Sequence, residues 1–584
     1  MPDPSRSLDD RPPGRRDPFV LVLLIILALA AVLRGLFPAA DPPWNPTAGI
    51  VWHDEGAWVH NARNKALFGA WSQDAWNPMY VAPVFTALEY GSFKAFGVGV
   101  RQARVPSEVL GWLSVLLLSL GVARIAGRRA GLIAAALLAT NFAYVMWNRT
   151  ALMEGPMAAF MVAAWYCYAR AEVSPRWGWG VGLFALLAFF TKAAAAFFVA
   201  AVGLDALLTL FFATNRGDPR ARGAAIVILS LVVFGVLALA LFVVPNWDGY
   251  WFYNVQMSIT RKPSYDLKSL LDRVTWFPVL HDLFTRMWFT LLLAVAGLLG
   301  LVVRWREAPP AERLLGWWVA LGALELILHD VGNERRFVFF IPALVALAAI
   351  VLGRDRTLLP AGVAAIPRRR ALLALPLVGF AAYVICGAIV RILFLYEIRP
   401  NVRAAAALAA ALTLVLYWTW PRVPAWLSRG SWSPRAGLLL AAFVSTGQIV
   451  QYVQWAAGRS YKNYEASIAI GRRLPPGTLV HGKLANGLAL ENRIRPIFIG
   501  RGFGNYEDRK VRDDVRYILT YIAPSVGFES QKNDPVIQDV LEAYPHRTII
   551  MTFDVAETAT GHDRAALIDK FGGMPGQTSL REKN

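Results

Sequence analysis

Cysteine is almost missing from this 584-residue chain. The two present, Cys167 and Cys386, fall inside apolar stretches and offer neither a disulfide framework nor metal-ligand spacing. The seven histidines form no cluster that argues for a metal. Internal repeats and low-complexity tracts are lacking, and the polar tail has no glycine-rich phosphate loop and no Ser/His/Asp arrangement. Acidic residues are outnumbered, 40 against 59 basic, giving a net charge of +19. Such an excess can serve nucleic acid, but most of the arginines stand in short loops between apolar runs. That is the distribution of a cytoplasmic membrane face, and it removes nucleic acid as a partner.

What is abundant is apolar sequence. Mean hydropathy is +0.42 and 56% of residues are hydrophobic, values of a polytopic membrane protein and not of a soluble enzyme with one large core. The 22 Trp residues fit interfacial belts as well as core packing. Thirteen apolar stretches read as spans: 18–37, 105–123, 130–147, 155–169, 177–191, 193–212, 224–244, 287–303, 314–328, 337–352, 371–390, 404–420 and 436–455. The expectation is a bundle of about 13 transmembrane helices with a C-terminal soluble α/β domain.

Residues 1–17 are polar and carry Arg6, Arg11, Arg15 and Arg16, so they read as a disordered cytoplasmic tail. A basic start before an apolar run also suits a cleaved signal. The run here has the roughly 20 residues of a full span and no clear small-x-small cleavage site, so an uncleaved first helix is expected. Arg124/Arg128/Arg129, Arg170/Arg176, Arg216/Arg220/Arg222, Arg304/Arg306/Arg313, Arg368/Arg369/Arg370 and Arg422/Arg429/Arg435 fall in alternate loops. This parity puts the N-terminus in the cytoplasm and residues 457–584 outside. The transmembrane domain, 18–456, then carries two long outer loops, 38–104 and 245–286. In the first, an amphipathic stretch from Ala57 to Trp71 is expected to lay its aromatics at the interface and its polar residues in water. The second is rich in aromatics and bases and suits a cover over a membrane-level cleft. In the tail, Thr478–His481, Ile494–Ile499, Arg516–Tyr521 and Thr548–Phe553 read as strands. Asn463–Leu474, Pro535–Tyr544 and Asp563–Phe571 read as helices. A lid or an acceptor-docking module is the expected role of this domain.

The chemistry gathers at span ends on the outer side. Val51-Trp52-His53-Asp54-Glu55-Gly56 sets two adjacent carboxylates just beyond the first span, a depth at which charges ask for pairing or function. Asp54 also suits a helix N-cap, with Glu55 favoured by the same dipole end. Asn148-Arg149-Thr150-Ala151-Leu152-Met153-Glu154-Gly155-Pro156 places Glu154 at the same level, with Pro156 in the first turn of the next helix. Glu154 there suits the helix dipole, and Arg149 suits snorkelling. Asn148-Arg149-Thr150 matches a glycosylation sequon, a poor match this close to a bilayer. Lys192 sits at a tight turn between two spans, and Arg335 and Arg336 just before another. Cations on the outer side run against the topology bias, and a phosphate at the membrane surface gives them a purpose. A carboxylate base would deprotonate a hydroxyl while the cations stabilise a departing phosphate.

These motifs resemble the GT-C superfamily of membrane glycosyltransferases, in the branch of protein O-mannosyltransferases and the lipid A aminoarabinose transferase. The resemblance is carried by His53-Asp54-Glu55, Asn77-Pro78-Met79-Tyr80-Val81-Ala82-Pro83, Phe96-Gly97 and Arg104-Val105-Pro106-Ser107. It continues through Gly127–Thr140, Arg149–Glu154, Thr191-Lys192 and Arg335-Arg336-Phe337-Val338-Phe339-Phe340-Ile341-Pro342. It implies a polyprenyl-phosphate-sugar donor, a hydroxyl acceptor on a protein, lipid or glycan, and transfer with inversion at the outer face of the plasma (inner) membrane. It makes Asp54 the candidate base. Glu55 and Glu154 would bind acceptor or sugar, or Asp54 and Glu154 would position a divalent cation; no other cofactor is implied. Lys192, with Arg335 or Arg336, would hold the lipid phosphate, with Arg149 and His53 beside them as substrate ligands. Two departures bear on the donor site: Ala193 follows Lys192 where the family often has Gly, and Pro78 and Pro83 stand apart where prolines are usually paired. A transporter or an envelope-assembly scaffold for lipid-linked saccharides is the competing class. A transporter would set its ionisable residues near the bilayer midplane, whereas here they stand at span ends.

Overall fold

The structure is a computed structural model. It describes residues 17–43, 51–213, 218–259, 263–276, 286–329, 334–353, 402–419, 434–521, 542–555 and 563–572, with a few positions between 372 and 386. Apolar helices stand at every expected span except 371–390, which lies almost wholly outside the described residues, as does the expected tail helix Pro535–Tyr544. Among the described residues, five helices are long and apolar enough to cross a membrane by length and composition: Pro18–Gly35, Val100–Ala126, Ala193–Phe211, Pro219–Ile259 and Arg435–Arg473.

Local chemistry sets the helix ends. Helix α1 (Pro18–Gly35) begins with proline at its first position, and Asp17 accepts from the Phe19 amide at 3.1 Å. After the loop helices α2 (Val51–Trp58), α3 (His60–Phe68) and α4 (Pro83–Phe96), α5 (Val100–Ala126) turns into α6 (Arg128–Thr140) at Gly127. Gly127 has φ +94°, a conformation that residues with a Cβ rarely adopt. The expected span 130–147 is instead a bent pair, α6 and α7 (Phe142–Asn148), at 62° to each other. Asn141 makes the bend by leaving the helix and accepting from the Tyr144 amide at 2.9 Å. Helices α8 (Glu154–Ala171), α9 (Gly178–Thr191), α10 (Ala196–Phe211) and α11 (Pro219–Ala238) follow. Alanine lines the α5–α6–α8–α9 contacts, and small side chains let membrane helices approach closely. The buried indoles are satisfied: Trp165 donates to Ala311 O at 2.9 Å and Trp318 to Phe339 O at 3.0 Å. At the end of the bundle away from α2, Arg313 donates to Asp205 at 2.9 Å and to Thr209 at 2.7 Å. Tyr168 donates to the same carboxylate at 2.7 Å. That knot ties α8 and α10 to the helix Pro310–His329.

Among the described residues the tail carries a mixed sheet of five strands, β1 (Leu479–His481), β2 (Arg495–Ile497), β3 (Tyr517–Tyr521), β4 (Thr548–Val555) and β5 (Asp563–Asp569), in the order β2-β1-β3-β5-β4. β1 pairs parallel with β2 and β3, while β5 runs antiparallel between β3 and β4. Asp563–Phe571, expected as a helix, is therefore a strand through Asp569. Ala565-Ala566-Leu567-Ile568 are all buried, as in a central strand covered on both faces, and such a short continuous apolar run has no period that separates strand from helix.

The polar side of the amphipathic stretch does not face water. His60, Asn61, Arg63 and Asn64 in α3 are all buried, because the tail covers them. Arg63 donates to the carbonyls of Ala489, Asn492 and Ile494 at 2.9–3.1 Å. His60 accepts at Nδ1 from Asn486 at 2.9 Å, which leaves Nε2 to donate to Asp74 at 2.9 Å. α2 lies so close to the short helix Lys483–Gly487 that a Cβ on Gly56 would stand 1.9 Å from Asn486 O. The second long loop packs onto the first: Asn77 N donates to the Tyr253 hydroxyl at 2.8 Å, and Asn254 donates to Tyr80 O at 2.9 Å.

Candidate active site

The fold brings four of the residues singled out in the sequence into one ion cluster. Asp54, in the first turn of α2, accepts from Arg335 Nη1 at 2.5 Å. Glu154 opens α8 and accepts from Lys192 Nζ at 2.5 Å, with Arg335 Nε 3.7 Å from the same oxygen. Lys192 is the residue at which α9 ends, in extended conformation, and Arg335 lies in the 3-10 turn Glu334–Phe337. Four segments far apart in sequence thus converge, with Arg335 bridging two carboxylates. Arg336 follows in the same turn, half-buried. Glu154 Oε2 is buried and has no hydrogen-bond partner among the described residues, so it is an acceptor in waiting.

Two of the expected site residues are placed elsewhere. Glu55 is clamped by Arg104 through two bonds of 2.8 Å and accepts from the Ala151 amide at 2.8 Å. Arg104 also donates to Pro38 O and Ala40 O, at 3.0 and 2.7 Å. This knot fixes α2 against α5 and the 150 turn and thereby orients its neighbour Asp54. Arg149 donates to the carbonyls of Leu33, Arg34 and Phe37 and stacks on Trp455 at 4.7 Å. It satisfies the open carbonyls at the end of α1, as a cation at a helix C-terminus should. The His53 side chain lies outside the described residues; its backbone is in the first turn of α2.

The donor set does not fit a divalent cation. The two carboxylates are already bridged by a guanidinium, Glu154 is paired with an ammonium as well, and no group of three or more His, Cys, Asp or Glu gathers among the described residues.

Residues 80–247 match the family described as dolichyl-phosphate-mannose-protein mannosyltransferase. ArnT from Cupriavidus metallidurans in the apo state is similar over 96% of this chain and 98% of its own, with a TM-score of 0.51 at 16% identity. This chain has the GT-C fold. ArnT bound to undecaprenyl phosphate is similar over 94% of this chain and 97% of its own, with a TM-score of 0.49 at 15% identity. The archaeal oligosaccharyltransferase AglB from Archaeoglobus fulgidus, in complex with an inhibitory peptide and a dolichol-phosphate, covers 86% of this chain and 69% of its own. Its TM-score is 0.40 at 14% identity. No curated protein matches the sequence.

Within this fold the matched stretch supplies Glu154 and Lys192, while Asp54 and Arg335 come from either side of it. Sequence reasoning missed a second layer, in which Arg104 holds α2 and Arg63 ties α3 to the tail. The signal available was His60-Asn61-Ala62-Arg63-Asn64, a polar run in a segment otherwise able to lie on a membrane, which wanted a protein partner and not water.

Proposed function

We infer that this protein is a polytopic glycosyltransferase of the plasma membrane that moves one sugar from a polyprenyl-phosphate donor to a hydroxyl acceptor at the outer face, with inversion. Its N-terminus is cytoplasmic and its C-terminal domain extracytoplasmic. The observation that carries the reading is the Arg335 bridge, which holds a base candidate and a second carboxylate beside Lys192 at the ends of apolar helices.

With no donor bound, Arg335 occupies Asp54. The donor phosphate is a better partner for a planar guanidinium than a single carboxylate oxygen, since it accepts a bidentate fork. Its arrival draws Arg335 and Lys192 onto the phosphate and leaves Asp54 free to accept a proton. Asp54 then takes the acceptor O–H proton as that oxygen attacks the anomeric carbon. The bond from that carbon to the phosphate oxygen breaks, and the electron pair leaves with the polyprenyl phosphate, whose growing charge the two cations stabilise. Glu154, through its unused Oε2, accepts from a hydroxyl of the sugar or acceptor. The carboxylate and the cations thus change partners, which makes donor binding the step that arms the base.

The test is transfer in lipid-reconstituted protein from a panel of radiolabelled polyprenyl-phosphate sugars to extracted envelope acceptors. Label is expected to move with the wild type and not with Asp54→Asn. Wild-type turnover in that variant removes Asp54 as base, and absence of both transfer and donor binding in the wild type overturns the class.

A further inference from the structure

A cleft of about 590 Å³ separates the first long loop from the free edge of the tail sheet. That volume lies within the range of small-ligand sites, roughly 300–1,000 Å³. Its floor is β2, the edge strand of the sheet, and its opposite wall is formed by Phe68, Gln73 and Asp74.

The edge is not open to another strand. Ile494 O is taken by Arg63 at 2.9 Å and Phe498 N by Asp74 Oδ2 at 2.8 Å. Pro496, whose backbone faces outward between them, has no N–H to give. A proline on an edge with its flanking groups occupied stops pairing by an added peptide strand. Recognition in this cleft therefore falls to side chains.

Those side chains are available. Among the described residues, Gln73, Arg495 and Asp508 make no side-chain hydrogen bond, although all three line the cleft. The Arg495 guanidinium carbon stands over the Phe68 ring, 4.6 Å from its centroid, which joins a charged donor to an aromatic face. Arg512 is paired with Asp514 at 2.5 Å, and Asp74 accepts from His60 at 2.9 Å, so the cleft holds one unpaired cation, Arg495, and two carboxylates, Asp508 and Asp74. A polyanion would meet Asp508 and Asp74 and lose what Arg495 offers. A flat face rimmed by a free donor, a free acceptor and an amide that is both suits an uncharged ring whose hydroxyls donate and accept.

Asp74 also joins the cleft to the helix pair that bears Asp54, since its Oδ1 holds His60 of α3 while its Oδ2 holds the β2 edge. We propose that the cleft binds an uncharged saccharide, the non-reacting part of a glycan acceptor. The acceptor half of this statement rests on the transferase reading; the binding half does not.

The experiment is equilibrium binding to the full-length protein in nanodiscs. The probes are neutral trisaccharides (mannotriose, cellotriose and chitotriose), a sulfated trisaccharide and an extended tripeptide. At least one neutral trisaccharide is expected to bind, and Arg495→Ala and Asp508→Asn are each expected to weaken it about tenfold, the loss of one charge-assisted hydrogen bond. Asp54→Asn is expected to leave it unchanged. No neutral saccharide bound at about 10 mM overturns the proposal. So does binding indifferent to both substitutions, or a preference for the sulfated sugar or the peptide. If trisaccharide binds but Asp54→Asn transfers sugar normally, the assignment of the base has failed and the cleft stands. If the wild type transfers sugar but binds no trisaccharide, the cleft has failed and the transferase stands.

Discussion

Asp54→Asn should push catalysis and donor affinity in opposite directions. The substitution keeps the shape of the side chain and removes both its charge and its ability to take a proton. Loss of a general base costs about 10²–10⁴ in turnover. The same change releases Arg335, which in the wild type must give up a 2.5 Å ion pair before it can grip a phosphate. The pair is neither exposed nor sealed, with side chains 17% and 20% accessible. Exposed pairs are worth about 0–1 kcal/mol, and breaking buried ones costs about 3–5 kcal/mol, so about 1–2 kcal/mol is the fitting figure. Polyprenyl phosphate should therefore bind the inactive variant about 5–30-fold more tightly than the wild type. The assay is titration of the polyprenyl phosphate into each protein in nanodiscs, read by intrinsic tryptophan fluorescence, with single-turnover transfer measured beside it. A double-mutant cycle sharpens it: the gain in affinity should vanish when Arg335 is already Gln. Unchanged or weaker donor binding in Asp54→Asn would refute the partner exchange, whatever happens to turnover.

Other outcomes follow from the same contacts. Arg104→Met strands a buried Glu55 and should destabilise the fold by about 3–5 kcal/mol, seen as a lower thermal midpoint in detergent. Arg63→Ala leaves three buried carbonyls of the tail without their donor and should expose the α3–tail seam to limited proteolysis well below the global unfolding temperature; an unchanged cleavage pattern would deny the clamp. Glu89 is buried, and both its oxygens lack partners among the described residues. Burial, then the nearby Glu55 charge, hold its carboxyl well above the usual range. Glu89→Gln should accordingly be neutral or stabilising, and a large loss of stability would show that the carboxylate form is needed. His481 is buried in the tail, and burial together with the charges of Lys570 and Arg512 pushes its imidazole down to about 3. As pH falls below about 6.5 the unfolded chain takes up a proton that the folded one refuses, so tail stability should drop between there and about 3. His481→Asn should flatten that slope in pH-dependent unfolding.

The strands at Thr478–His481 and Thr548–Phe553 could be read from the chain because β-branched and apolar residues stood between turn signals. β5 could not, since a strand buried on both faces carries no alternation. The charges at span ends stood out because they broke the topology bias, and Asp54, Glu154, Lys192 and Arg335 do meet in space. Glu55 and Arg149 share the same composition and depth yet serve as internal fasteners. What separates the two groups is who sits opposite: Arg104 and Ala151 in one case, the carbonyls ending α1 in the other. No local pattern encodes a partner dozens of residues away. The buried polar face of α3 was misread for the same reason, because its cover arrives with the tail.

That late arrival has a temporal meaning. The Arg63–Ala489 and His60–Asn486 contacts each close a separation of 426 residues. At about 5–20 residues per second, a ribosome needs roughly 20–90 s between making α2 and α3 and making the surface they rest on. During that interval the membrane helices can insert and pack and Arg104 can clamp Glu55 of α2, but the polar face of α3 has no cover. A half-made chain in the membrane thus carries an open polar face on α3 until Asn486 to Ile494 arrive to close it.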